Sequence, residues 1–272
     1  MNISKSLKLP LYFTSVSPVI VMWSYSGFRE YWLFLLLIAV VVFMQAALNL
    51  SMDYFDHLNG RNLRNEDTMF PIGSYLIEHE KASPGKVRVA FIISAVVSVS
   101  FGIAIIALTG KYDLLVIGIL ALIVSFMYVL PPFRFNSRGF GEVSTFLSFG
   151  PFSTIGSAIA FGSKITLLVI LVSVLLGLLA SAIRYLHHLP EDDPSGRRVG
   201  KFRLFYPLIL FPGFLLLLYN TVFLFILAPL VGALLHYLRL PKGTIEISRR
   251  TNQIVAIQVS TAILITLYFA LI

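Results

Sequence analysis

Three segments of this sequence carry residue types at spacings that could do chemistry. The first reads Asn49-Leu-Ser-Met-Asp53-Tyr-Phe-Asp56. Asn49, Asp53 and Asp56 follow one another at intervals of four and three, which stacks them on one face of a helix. Two carboxylates on one face repel each other and lose hydration where an apolar run ends. Ionisable residues in that position are functional candidates by default. A bound Mg²⁺ removes the penalty, because it is a hard cation that takes carboxylate oxygens and shares its shell with phosphates. The bland alternative is a solvated, capped helix end. Acids at a helix C-terminus oppose the helix dipole, which weighs against it.

The second segment runs from Arg184 through His187, His188, Glu191, Asp192 and Asp193 to Arg197, Arg198 and Lys201. It is an acidic cluster followed at once by a basic one. His188 and Asp192 are four apart, but Pro190 is expected to end or bend the helix between them, so a shared face is not assumed. A loop held by weak surface ion pairs is the alternative reading. The His187-His188 pair alone is a poor signal for a transition metal, since no further His or Cys stands at a fitting spacing. The third segment is Tyr128-Val-Leu-Pro131-Pro132-Phe-Arg134-Phe-Asn-Ser-Arg138-Gly139-Phe-Gly141-Glu142. Tyr128 could stack on a cation or carbocation, or serve as an interfacial aromatic anchor. Its Pro-Pro pair and two glycines mark a shaped loop without indicating a reaction.

The elements that must position these groups are apolar stretches long enough for spanning helices, which need roughly 20 residues. Nine candidates lie near 11–27, 31–52, 87–109, 112–130, 141–162, 165–187, 203–219, 221–238 and 253–272. The first is short and interrupted by Pro18. The seventh and eighth are separated only by Asn220 and Thr221, which implies a tight hairpin or a bent longer helix. Loops after the even-numbered stretches are longer and basic. Those after the odd-numbered ones are short and nearly uncharged. Eighteen of the 21 Lys and Arg fall on one side, with Arg29, Lys111 and Lys164 opposite. The positive-inside rule puts the basic side, the N-terminus and all three chemical segments in the cytoplasm, with the C-terminus outside. Eleven of the 13 acids follow them, leaving Glu30 and Asp113 opposite.

The composition agrees. The chain is 57% hydrophobic and 12% charged, about half the charge of an ordinary soluble domain. Lipid must therefore solvate much of its surface. It has no cysteine, which excludes disulfides, thiolate ligands and cysteine nucleophiles. The net charge of +8 reads as cytoplasmic loop bias rather than as a nucleic-acid footprint. No cleavable signal peptide, repeat or low-complexity tract is evident. The expectation is an all-α, polytopic bundle forming one domain over residues 1–272, an integral protein of a cell inner membrane. Acidic clusters can hold Mg²⁺, and neighbouring Arg and Lys can hold a polyanion, Arg by matching phosphate geometry. The apolar body suits a hydrocarbon tail. Together they imply an amphiphile with a diphosphate head and an isoprenoid tail.

Taken together, these segments resemble the UbiA superfamily of intramembrane prenyltransferases, nearest to the dihydroxynaphthoate polyprenyltransferases of menaquinone synthesis. Asn49 to Gly60, NLSMDYFDHLNG, resembles that branch's first acidic motif. Tyr128 to Gly150, YVLPPFRFNSRGFGEVSTFLSFG, resembles its Tyr-Pro-Pro loop and Arg-Gly-x-Gly-Glu helix start, and His188 to Arg198 its second acidic motif. The resemblance implies transfer of a polyprenyl group from its diphosphate to an aromatic acceptor, through an allylic carbocation and with Mg²⁺. By position it implies Asp53, Asp56 and Asp192 as metal ligands, with Glu191 and Asp193 as understudies. It implies Arg64, Arg134, Arg138, Arg197, Arg198 and Lys201 for the diphosphate, Asn49 as substrate-binding, and Tyr128 for the carbocation. Met52 stands where the family commonly has Asn, Phe70 where Arg is common, and Gly60 where the family-wide first motif ends in an acid. His188 stands in place of the second motif's first Asp. An imidazole can ligate a metal, though it is softer than Mg²⁺ prefers, or can remove the acceptor's proton. Alternatives are a non-quinone acceptor such as an ether lipid or tetrapyrrole, a transporter or lipid-binding protein, and a scaffold that has lost the reaction. The sequence leaves prenyl chain length, acceptor and oligomeric state open. A transporter should carry charged or broken-helix features at the midplane, whereas these spans are almost free of charge.

Overall fold

The computed structural model describes residues 8–60, 73–136, 139–192, 206–240, 246 and 249–271, with backbone alone at 189–192 and 221–222. Helical segments occupy each of the nine apolar stretches. After a short turn at Leu9–Leu11 come α1 (Tyr12–Tyr25), α2 (Tyr31–Leu58), α3 (Pro84–Thr109) and α4 (Asp113–Val129). Then follow α5 (Gly141–Ala160), α6 (Leu167–Asp192), α7 (Leu210–Tyr219), α8 (Leu227–Leu238) and α9 (Thr251–Leu271). Five of these, α2, α3, α5, α6 and α9, are long and apolar enough to cross a membrane. α4 and the helical segments Tyr206–Tyr219 and Phe223–Leu238 are apolar but shorter, and α1 has 14 residues with Pro18 inside it.

Helix length places the chemical segments. At 1.5 Å per residue α2 extends about 40 Å, against about 30 Å of hydrocarbon. Its last two turns, with Asp53 and Asp56, therefore project to one end of the bundle. α6 is of similar length. It continues through Pro190 to Asp192, where a break or bend was expected. Proline removes one backbone donor, and here that loss falls in the final turn, after the fully packed residues Leu186, His187 and His188. Asn220 adopts an extended conformation that ends α7. α7 and α8 then pack against each other, so this pair is a hairpin.

α6 is the central column. Of its most apolar window 72% is buried, against 11% for α3. Val169, Val172, Leu175, Leu176, Leu179 and Leu186 form one core with residues of α1, α2, α7, α8 and α9. α5 approaches α6 through paired glycines. A methyl on Gly150 would lie 2.6 Å from the Ser173 carbonyl oxygen, and one on Gly177 would lie 2.8 Å from the Phe146 ring. Small residues permit this backbone contact, the usual device for packing helices in lipid. α5 also contains a wider π turn at Ser148–Phe152, around Pro151. Such turns occur often at functional sites. α3 lies along α2 and turns Ile92, Ile93, Val96 and Ile103 outward, while α4 exposes Val116, Ile119 and Ile123. These faces suit lipid.

Candidate active site

A cavity of about 90 Å³ opens between α1, α2, α4, α5 and α6. Its lining divides into two layers. Lys8, Met52, Tyr128, Ser144, Arg184, His187 and His188 stand toward the end that carries the acidic motifs. One to two turns farther from that end come Thr14, Gln45, Ser125, Ser148 and Ala180. Among the described residues no carboxylate lines the cavity, whereas two cations do. The upper layer is therefore suited to an anion.

Arg184 organises that layer. It is buried and donates from Nε to the Tyr128 hydroxyl at 3.2 Å. One terminal nitrogen donates to a Glu142 carboxylate oxygen and the other to the Asn136 carbonyl. Its guanidinium carbon also lies 5.8 Å from the Tyr128 ring centroid. One side chain from α6 thus joins α4, the loop after it, and the start of α5. Gly141 belongs to this arrangement. A methyl there would lie 2.0 Å from Arg184 Cζ, so only glycine leaves room for the guanidinium. The sequence suggested a shaped loop at this glycine, and the structure shows that the need is space.

Asp53 and Asp56 are both buried at the end of α2, but neither lines the cavity. Asp53 accepts backbone N–H bonds from Leu76 (2.8 Å, to Oδ2) and Ile77 (3.3 Å, to Oδ1). It thereby holds the π turn at Tyr75–His79 against α2. Lys8 acts electrostatically on Asp53 and on His187. The two carboxylates suit a hard divalent cation, which needs only one or two of them besides phosphate oxygens and water. Among the described residues no three His, Asp or Glu side chains form a metal-holding group.

The other expected site residues divide by position. Asn49, Tyr128 and His188 line the cavity. Arg134 sits in the loop after α4, half-buried and away from the lining. Glu191 and Asp192 close the last turn of α6. Arg64, Arg138, Asp193, Arg197, Arg198 and Lys201 lie outside the described residues. Lys8, Thr14 and Gln45 line the cavity without having been singled out, and Arg184 and His187, which belong to the second segment, line it without having been assigned a role. Gln45, the one amide within the apolar run before Asn49, was the available signal.

Asn49 and Gln45 are part of a polar chain between α1 and α2. Ser15 donates to Gln45 Oε1 at 3.0 Å, and Gln45 Nε2 donates to Asn49 Oδ1 at 3.1 Å. Asn49 also hydrogen-bonds the Tyr12 hydroxyl.

Comparison with known proteins agrees with this architecture. No family model matches the chain. It is 27% identical to the chloroplastic 2-carboxy-1,4-naphthoquinone phytyltransferase of Arabidopsis thaliana, covering 73% of this chain and 52% of that protein. It is 25% identical to the 1,4-dihydroxy-2-naphthoate octaprenyltransferase of Mycobacterium leprae, over 64% of this chain and 57% of that one. The chain thus spans little more than half the length of these curated relatives. Among solved structures, a UbiA homolog from Archaeoglobus fulgidus superposes with a TM-score of 0.65, at 13% identity, over 97% of this chain and 98% of the other. The fold is UbiA-like, and the resemblance to the menaquinone branch holds in the sequence matches.

Proposed function

We propose that this protein is an intramembrane prenyltransferase that moves a polyprenyl group from its diphosphate to an aromatic quinone precursor. One observation carries the reading. A buried carboxylate pair on α2 stands beside a cavity whose upper wall is cationic and whose remainder is largely apolar. An isoprenoid diphosphate needs both kinds of surface. The relatives named for naphthoate substrates support an acceptor of the dihydroxynaphthoate class.

In this mechanism Asp53 and Asp56, together with Asp192, Glu191 or Asp193, would hold Mg²⁺, which when bound would supply positive charge to the diphosphate leaving group. Lys8 and Arg134 add positive charge, with Arg64, Arg138, Arg197, Arg198 and Lys201 from the loops. The bond between the prenyl C1 and the diphosphate oxygen breaks, and the electron pair leaves with the diphosphate. Tyr128, steadied by Arg184, presents its ring to the allylic cation, which an aromatic face attracts. The acceptor ring carbon attacks C1. His188 then takes the proton lost from that carbon or from a ring hydroxyl. The body of the bundle excludes water, which would otherwise capture the cation. In this reading the chain is one domain, with the site at the cytoplasmic face of a cell inner membrane.

The test is incubation of purified protein with a labelled polyprenyl diphosphate, Mg²⁺, and a panel including dihydroxynaphthoate and hydroxybenzoate. A prenylated aromatic product that requires Mg²⁺ is expected. Intact diphosphate with every acceptor would refute the proposal.

A further inference from the structure

The lower layer of the cavity has a chemistry that neither the diphosphate nor the prenyl tail uses. Thr14 is 5% exposed and lines the cavity, yet its hydroxyl has no hydrogen-bond partner among the described residues. An unpaired buried hydroxyl is costly. Gln45, 8% exposed, lines the same cavity. Its Oε1 is taken by Ser15, and one of its two amide hydrogens by Asn49. Those bonds engage the amide oxygen and one of its hydrogens and leave one N–H donor in reserve. Ser125 and Ser148 supply hydroxyls from α4 and α5, the latter at the π turn. The surrounding walls are Leu48, Phe149, Ala180 and Ile183. Hydrocarbon would gain nothing from such polar groups and would leave them unsatisfied. A flat ring bearing hydroxyls would satisfy them while packing its faces on the apolar walls.

We infer that Thr14 and Gln45 form a subsite that recognises the ring hydroxyls of the acceptor, with Ser15 and Asn49 positioning the Gln45 amide. The acceptor class rests on the function proposed above, whereas the preference for a hydroxylated ring rests on this cavity alone. Sites that hydrogen-bond a substrate hydroxyl reject analogues lacking it, because their own polar groups are then left unpaired.

The experiment is direct binding to the full-length protein in detergent, without prenyl donor, using 1,4-dihydroxynaphthalene, 1-naphthol and naphthalene. The wild type should bind the diol roughly tenfold more tightly than naphthalene, about one net hydrogen bond's worth of affinity. Thr14→Val keeps the shape, removes no bond within the described protein, and should lose several-fold of that preference while its naphthalene affinity stays unchanged. Gln45→Leu should lose a comparable part, and Gln45→Glu, which keeps the Ser15 acceptor but loses the donor, should not restore it. Equal affinity for all three rings, or a Thr14→Val protein with the full preference, would overturn the inference. Diol preference without any prenyl transfer would refute the proposed reaction and leave the subsite standing. Prenyl transfer with no hydroxyl preference would do the reverse.

Discussion

Gly141→Ala offers the sharpest test of how the site is held together, because two opposing effects can be weighed from the structure. Gly141 opens α5 with ordinary helical backbone, so alanine should favour the helix by about 1 kcal/mol. The added methyl, however, would stand 2.0 Å from Arg184 Cζ and 2.2 Å from Nε and Nη2. The guanidinium would have to leave, giving up Tyr128, Asn136 and Glu142 together. Breaking a buried ion pair costs about 3–5 kcal/mol. Glu142 keeps 29% of its side chain exposed, which places the loss at the lower end. The clash therefore wins by about 2 kcal/mol, a fall in Tm of roughly 4–8 °C at the slope usual for a chain of this size. Tryptophan emission from Trp23 and Trp32 during heating in detergent would report it. Gly102→Ala is the control. Nothing lies within 4 Å of a methyl there, so that variant should be unchanged or slightly stabilised. Arg184→Met supplies a second arm. If both variants act by removing the same guanidinium, their effects should not add in the double variant. A Gly141→Ala protein as stable as Gly102→Ala, or fully additive losses, would refute this account.

Asp53→Asn and Asp56→Asn should both abolish prenyl transfer. Only Asp53→Asn should also open the Tyr75–His79 turn to proteolysis, since it exchanges one acceptor of the Leu76 and Ile77 N–H bonds for an amide donor. Full turnover by either variant with Mg²⁺ would defeat the metal assignment. If His188 acts as a ligand, His188→Asp should keep or raise Mg²⁺-dependent activity; a folded but inactive variant would assign it to proton transfer or acceptor binding. A single cysteine placed between 194 and 200 of this cysteine-free chain should react with a membrane-impermeant maleimide only from the cytoplasmic side. Labelling from the opposite side would invert the proposed orientation.

Much of this organisation was legible from local pattern. Apolar runs interrupted by loop residues located the helices, because lipid forces backbone polar groups to be paired within each segment. The spacing of Asn49, Asp53 and Asp56 placed them together at one helix end. What pattern could not supply was the identity of tertiary partners. Arg184 reads as a cation flanking a loop until three other segments bring it a ring, a carboxylate and a carbonyl. Lys8 counts only toward charge bias until α1 folds it over the cavity. Asp53 shows the reverse case: its spacing marked it as a candidate ligand, but its grip on Leu76 and Ile77 depends on a return of the chain that spacing does not encode. Pro190 does not end the helix, which runs on to Asp192 beyond the buried turn at Leu186, His187 and His188.

The contrast between the central column and α3 has a consequence for how this protein can vary. The vocabulary permitted on the outer helix is almost unrestricted: any leucine, valine or isoleucine in its outward positions dissolves equally well in acyl chains. The exceptions are its buried positions, Val87, Ile105 and Ser98, the last of which donates its hydroxyl to the Val40 carbonyl at 2.8 Å. On α6 even a methyl group added at Gly177 has nowhere to go. Genetic drift should therefore accumulate on the rim of the molecule, and two such chains could diverge widely there while remaining interchangeable at the axis.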